Sequence, residues 1–257
     1  MTGPMISACI LTFNSERTVE ACLKSIQWVD EIVVVDSFST DRTLEIVRQY
    51  TDKIHQRAWV GFREQFNFAR QLASGQWILS IDSDEELSSE LQKELQQVFS
   101  HELTGVGGYS FRRRTYYLGR WIDHGGWYPD RVLRVAPRDA RWKGEDPHPK
   151  IDVNGAVIVL KGHIFHYTYK NISDHIQKMD RYASEAAREM QRVGRAFKLR
   201  TLLSHPLFRF LRDYVLKQGF RDGIPGLIIA GTTAFYVFLK YAKLWELQLT
   251  GDGENKN

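Results

Sequence analysis

The chain has 257 residues, 43% of them hydrophobic, enough to bury a sizeable core as one large α/β domain or one domain with an appendage. Its formal net charge of +4 does not by itself imply nucleic acid and suits an anionic nucleotide, an anionic glycolipid or a membrane surface. Cys9 and Cys22 form no disulfide or metal spacing, so a reducing cytoplasm is expected, and Met1 to Pro4 lacks the basic start of a secretory signal.

Met5 to Thr12 reads as a first strand, followed by the turn Phe13-Asn14-Ser15-Glu16. Ser15 is the expected N-cap of a helix with Val19, Cys22, Leu23 and Ile26 on its apolar face. Glu31 to Asp36 is a β-branched run of the kind a parallel sheet buries on both sides. It ends in Asp36-Ser37-Phe38-Ser39-Thr40-Asp41, before a second helix carrying Thr43, Leu44, Ile46 and Val47. A short strand near Lys53 to His55 precedes a helical stretch from Gly61 to Arg70. Then Trp77 to Ile81 forms a fourth apolar run that stops at Asp82-Ser83-Asp84-Glu85-Glu86. The alternation predicts a doubly wound, mostly parallel sheet with right-handed crossovers.

Three strands therefore end in polar clusters, and in a parallel sheet such ends share one edge, where open α/β sheets bind ligands. Each cluster also has a plainer explanation. Asn14, Ser15 and Asp41 suit helix caps, Asp36 a turn, and Glu85, Glu86 and Ser88 a helix start. Asp82 and Asp84 are two apart, which places both side chains on one side of an extended chain. Paired carboxylates there suit a hard divalent cation that takes phosphate oxygens as its other ligands. Neither G-x-G-x-x-G nor G-x-x-x-x-G-K-[ST] occurs at these turns, which argues against a dinucleotide-binding domain and a P-loop.

The segments Thr12 to Glu16, Val34 to Thr43 and Ile81 to Glu85 resemble, in order and spacing, the successive signatures of the family 2 inverting glycosyltransferases. Gly126 to Arg131 and His166 to Tyr169 resemble its small bacterial branch, whose members add glucose to the lipopolysaccharide inner core or serve related surface glycans. The resemblance implies the nucleotide-sugar-binding (GT-A) fold, with a D-x-D motif for Mg²⁺ or Mn²⁺. It implies that Asp36 accepts hydrogen bonds from the uracil or ribose of a UDP-sugar. Thr12, Asn14, Glu16, Ser39 and Asp41 would line the same pocket, and Asp82 would hold ribose or a metal-bound water. Asp84 would ligate the cation with Asp82, and His166 would reach back as a further ligand or else be a core histidine. Arg63 and Arg70 would add cationic help, or be surface helix residues.

Beyond residue 105 the chain is rich in aromatic and basic residues. Trp127 and Tyr128 are candidate stacking platforms for a sugar ring, although aromatics also serve as plain core. Arg131 and His148 are candidate acceptor-binding residues. An inverting transfer needs a general base for the acceptor hydroxyl, and the candidates are Asp146, Glu145 and Asp130, in that order. Many relatives place a carboxylate just after the histidine, where this chain has Pro149.

From Asn171 onward the chain changes character, giving a catalytic part over 1–170, a helical part over 171–250 and a tail over 251–257 expected to be disordered. A helix opens at Ser173-Asp174-His175. Pro206 to Lys217 is apolar and basic together, and an apolar run from Ile224 to Leu239 is broken by Pro225, Gly226 and Gly231. At about 16 residues that run falls short of the roughly 20 needed to span a bilayer. An interfacial helix facing anionic lipid is expected, with a helical pair or a homo-oligomer contact as the alternative. The sequence thus predicts a metal-dependent hexosyltransferase, peripheral on the inner face of the cytoplasmic membrane. Its expected partners are a UDP-hexose and a lipid-linked or lipopolysaccharide glycan, with no nucleic acid. The alternative is a nucleotide-sugar-binding or nucleotidyltransferase-like protein, against which stands the lack of a Gly-rich, Lys-bearing first loop.

Overall fold

The structure is a computed structural model that describes residues 3–101, 105–144 and 149–250. Two compact units make up the chain: Met1–Arg114 with Asp130–Thr168, and Thr115–Pro129 with Tyr169–Asn257. The helical part thus takes in residues 115–129 as well as those after 168, where the sequence placed a single boundary at 170.

In the first unit the elements follow the expected alternation. They are β1 (Ile6–Thr12), α1 (Val19–Ser25), β2 (Glu31–Asp36), α2 (Thr43–Val47), β3 (Ile54–Gln56), α3 (Phe62–Leu72) and β4 (Trp77–Asp82). A three-residue β5 (Glu85–Leu87) and α4 (Ser89–Phe99) come next. After them lie β6 (Val106–Tyr117), whose last residues belong to the second unit together with β7 (Arg120–Trp121), and then β8 (Asp130–Pro137), β9 (Arg141–Lys143), β10 (Lys150–Asp152) and β11 (Ala156–His166). The sheet order is β3-β2-β1-β4-β8-β6-β11-β5, with β7 paired to β6, and β9 and β10 form a separate ribbon.

The first four of these strands are parallel. β8 joins β4 and β6 antiparallel, and β11 joins β5 antiparallel. The sheet is therefore mixed, with its parallel half holding the strand tips. Residues 161–163, read from sequence as a turn, lie inside β11. Gly162 is there because α4 presses on the strand: a Cβ at that position would come within 2.5 Å of Leu91 backbone. Glu94 on α4 accepts hydrogen bonds from the Lys161 and Gly162 amides.

Alternation along β1 explains its unbroken apolar run. Ala8 and Ile10 pack with Val19, Leu23, Leu91 and Leu95, whereas Cys9 and Leu11 pack with Val33, Phe66, Ala69 and Ile78. Both faces are covered, as a parallel sheet requires. Each of the larger side chains among these, the valines, leucines, isoleucines and Phe66, contributes on the order of 2 kcal/mol on burial.

The second unit is built on α5 (Ile172–Arg192), α6 (Leu199–Leu211) and α7 (Gly223–Thr250). Asn171, one residue before α5, caps it by accepting from the Asp174 amide at 2.9 Å. Ala187 and Met190 on α5 pack on Val237, Tyr241 and Leu244 of α7. The run from Ile224 is not interrupted: Pro225 falls in the first turn, where a missing amide hydrogen costs no helical bond. The stretch Gly219–Thr250 contains an 18-residue window of mean hydropathy 1.4 and is long and apolar enough to cross a membrane by length and composition. That corrects the expectation of a broken, shorter segment. The buried carboxylate of Asp222 receives the His124 amide at 2.8 Å and the His124 ring at 3.1 Å, which ties residues 115–129 to the helices of this unit.

Candidate active site

Register brings the strand tips together. Thr12 lies opposite Asp36 and Leu11 opposite Asp82. Hydrogen bonds then join the loops that follow. The Asn14 amide donates to Ser39 Oγ at 2.9 Å, and the Thr40 amide to Asn14 Oδ1 at 2.9 Å. Ser15 Oγ and Ser83 Oγ are 2.8 Å apart, which links the β1 loop to the turn between the two aspartates. Asn14 and Phe38, the second residues beyond β1 and β2, have φ of 48° and 61°. Left-handed backbone at non-glycine residues is stored strain that concentrates at functional sites. Phe13 and Phe38 stand exposed on the same two loops.

Asp36 is fully buried. Its carboxylate accepts from Thr12 Oγ1 at 2.8 Å, the Ser39 amide at 2.8 Å, Ser39 Oγ at 2.5 Å and Gln56 Nε2 at 3.3 Å. It anchors the loop, holding Ser39 and Thr12 together at the place where the sequence reading expects the nucleotide. Asp41 accepts from the Glu16 and Thr43 amides at 3.1 and 3.0 Å and from Thr43 Oγ1 at 2.5 Å. Burial would raise its carboxyl, but these hydrogen bonds outweigh that and hold it below the usual range. Glu16 in turn accepts from the Arg42 amide at 3.2 Å. Ser15 is not the N-cap of α1; that position is Thr18, and Ser15 contributes a carbonyl to the Thr18 and Val19 amides.

The D-x-D stretch is not extended. β4 ends at Asp82, Ser83 and Asp84 make a turn, and β5 leaves antiparallel to β11, with Glu85 opposite His166. This pairing sets His166 Nε2 3.5 Å from Asp84 Oδ2. Asp82 goes elsewhere: its Oδ2 accepts from Arg134 Nη2 at 2.7 Å, and the same nitrogen reaches Glu85 Oε1 at 2.7 Å. Arg113 lies 3.1 Å from Glu85 and 2.7 Å from Asp130. An ion-pair chain thus runs Asp130–Arg113–Glu85–Arg134–Asp82. Burial pushes the Asp82 carboxyl up, only partly opposed by Arg134. Glu85 is also buried, yet Arg134 and Arg113 together hold it below the usual carboxylate range.

Sequence reasoning missed Arg113, Arg134 and Arg17, whose Nη2 donates to the Tyr167 carbonyl at 2.8 Å. The signal for Arg134 was present: a cation inside the apolar strand Val132-Leu133-Arg134-Val135-Ala136 demands a buried partner.

The other predicted residues are dispersed. Arg63 donates to the Gly144 carbonyl at 3.1 Å, next in the chain to the base candidates. Glu145, Asp146 and His148 lie outside the described residues, as does the tail 251–257. Arg70 is almost wholly buried, donating to the Ala140 and Pro137 carbonyls. It fastens α3 to the β8–β9 connection, which removes it from the set of phosphate-binding candidates. Arg131 is exposed on β8, beside Asp130. Trp127 and Tyr128 belong to the helical unit. There Trp127 stacks on Tyr169 at 5.6 Å and meets Tyr117 edge-on at 5.3 Å.

Asp84 and His166 offer one carboxylate and one imidazole to a divalent cation. Among the described residues no group of three or more His, Cys, Asp or Glu side chains gathers for a metal. Two protein donors fit Mg²⁺ or Mn²⁺, which complete their shells with water and substrate phosphate oxygens, and do not make a closed structural site.

A sequence model described as glycosyl transferase family 2 matches residues 7–153. The lipopolysaccharide core biosynthesis glycosyltransferase LpsC of Rhizobium meliloti is 30% identical, over 94% of this chain and 92% of that protein. An uncharacterized glycosyltransferase of Rickettsia typhi is 29% identical, over 95% of this chain and 88% of its own. Among solved structures, S. aureus TarS 1-349 in complex with UDP-GlcNAc is 16% identical, covers 96% of this chain and 92% of its own, and has a TM-score of 0.46.

Proposed function

Because the chain belongs to glycosyl transferase family 2, we propose that it moves a hexose, glucose foremost, from a UDP-sugar to a hydroxyl of a bacterial surface glycan, with inversion. The lipopolysaccharide inner core is the acceptor that the likeness to LpsC favours. The observation that carries the reading is the meeting of Asp84 and His166 at 3.5 Å on the edge where β1, β2 and β4 end.

Asp84 and His166 would hold Mg²⁺ or Mn²⁺, which as a Lewis acid stabilises the charge that develops on departing UDP. Thr12, Asn14, Ser39 and the Asp36 anchor shape the nucleotide pocket, and their hydrogen bonds are made before substrate arrives. Such preorganisation spares the reaction the cost of ordering the loops. Asp82, gripped by Arg134, serves the ribose side and is not a second metal ligand. Asp130 is occupied by Arg113, so the general base comes from the residues after Gly144, Asp146 first and Glu145 second. The enzyme works on the cytoplasmic face of the membrane, as a monomer or homo-oligomer, because its acceptor is a lipid-carried glycan.

The test is incubation with UDP-glucose and Mn²⁺, with and without deacylated lipopolysaccharide, followed by measurement of UDP release. Release that requires acceptor supports transfer. Tight UDP binding with no release under any acceptor supports a nucleotide-sugar-binding protein instead.

A further inference from the structure

The helical unit has a cavity of about 360 Å³ lined by Arg195, Lys198, Arg200, Thr201, His205 and Tyr241. None of its lining residues carries a carboxylate, and three carry fixed positive charge. Lys240 adds a fourth cation, its ammonium 5.2 Å from the centre of the Tyr241 ring, which the Arg195 guanidinium approaches at 5.8 Å. His205 Nδ1 and Tyr241 Oη are 3.1 Å apart and close the polar wall. The first turn of α6 opens here with no acidic residue and no side-chain cap, so its positive dipole end adds to the same field. Like charges crowd in this recess: burial first, then Arg195 and Arg209, lower the Lys240 ammonium below its ordinary range. An anion would relieve that crowding.

The rim is apolar. Leu199, Leu203, Leu207 and Leu211 run along α6 at i, i+4 spacing, a single ridge, and all are exposed, Leu203 at 63%. No residue of α6 is buried. The ridge continues into Val215, Leu216, Phe220 and Ile224, all exposed. From Lys198 to Lys243 the only two carboxylates are Asp213 and Asp222, each 1% exposed or less. An exposed carboxylate beside this stretch, Asp180 of α5, is engaged by Lys243 at 2.6 Å, so along α6 itself exposed leucines and cations lie together and a twofold contact there would set like charges against each other. An anionic bilayer offers both complements, acyl chains for the ridge and phosphates for the cations.

We propose that this cavity is a phosphate site for an anionic phospholipid headgroup, and that the α6 ridge lies in the plane of the bilayer beside it. The proposal rests on the membrane-surface part of the functional reading and gives it a site. It is independent of the donor pocket.

The experiment is flotation of the full chain with vesicles of phosphatidylcholine alone and vesicles with about 30 mol% phosphatidylglycerol. The parent chain should bind the anionic vesicles at least tenfold more tightly. The triple variant R195Q/K198Q/R200Q should lose that preference. A control that removes three exposed cations elsewhere, K24Q/R48Q/K93Q, should keep it. L203Q/L207Q should weaken binding to both kinds of vesicle, and UDP affinity should be the same in every variant. Equal losses in the triple variant and the control would overturn the site while leaving membrane binding standing. No binding of the parent to anionic vesicles would overturn both. Saturable binding of inorganic phosphate, abolished by the triple variant but without vesicle binding, would overturn the lipid source.

Discussion

His166 Nε2 lies 3.5 Å from Asp84 Oδ2 although 82 positions separate them in the chain. The contact exists because β11 runs back antiparallel to β5 and sets His166 beside Glu85, next to the turn that carries Asp84. Asp84→Ala should therefore abolish metal-dependent UDP affinity, and His166→Ala should lower it by roughly tenfold or more, at least the loss that follows removal of a group merely supporting a ligand. Titration calorimetry with UDP, with Mn²⁺ and then with chelator, checks both. Unchanged heats for Asp84→Ala would remove it as a ligand. Both side chains are partly exposed, so the fold should survive either change.

Asp146→Asn should lower kcat by two to four orders of magnitude (~10²–10⁴) with little change in donor KM, as expected of a group that acts mainly in the transition state. Asp130→Asn should cost far less, because Arg113 already occupies that carboxylate. Steady-state UDP release with acceptor separates them. Greater damage from Glu145→Gln would move the base one residue back.

Arg134→Met removes the cation shared by Asp82 and Glu85 and leaves Glu85 buried with Arg113 alone. Breaking a buried pair from one side costs about 3–5 kcal/mol. The urea midpoint should fall accordingly, and Arg134→Lys should recover part of the loss. A midpoint equal to that of the parent would mean that Glu85 does not need the charge.

Glu31 sits at the opposite end of the sheet, where Lys53, Ser7 and Ser74 donate to its buried carboxylate. Burial pulls its carboxyl upward, but those partners carry it from the ordinary 4.5 down to about 2. A carboxyl depressed on folding stabilises the protein above its unfolded value, and that stabilisation is lost as pH falls through the folded one. Glu31→Gln should cost roughly 2 kcal/mol at pH 7, discounted because Lys53 is half exposed. The gap from the parent should close as pH drops from about 4.5 toward 2. Urea titrations across that window would show it; a gap independent of pH would assign the role to packing.

The parallel half of this GT-A-type sheet is legible because β1, β2 and β4 are short apolar runs ending in acids, a pattern set by two-sided burial and a polar edge. Register within the antiparallel half is not legible in the same way. Nothing local to Arg113, Asp130 or Arg134 says which carboxylate each will meet, since pairing spans 17 to 52 residues. The role of Asp36 is hard to read for a related reason: its residue type suits ligand and anchor alike, and the donors gathered around it come from three separate segments. The α7 segment misled because Pro225 and Gly226 read as breakers, whereas helix position decides whether a proline breaks anything.

Side chains on a strand alternate between two faces, so β11 carries an arithmetic constraint on its own length. Adding one residue between Ile164 and His166 would send the imidazole to the far face and offer Phe165 or the inserted residue to Asp84 instead, and deleting Phe165 would offer Tyr167. Insertions are tolerable in the connection 153–155 ahead of Ala156, outside the strands, but parity at the end of β11 decides whether the imidazole faces Asp84 at all.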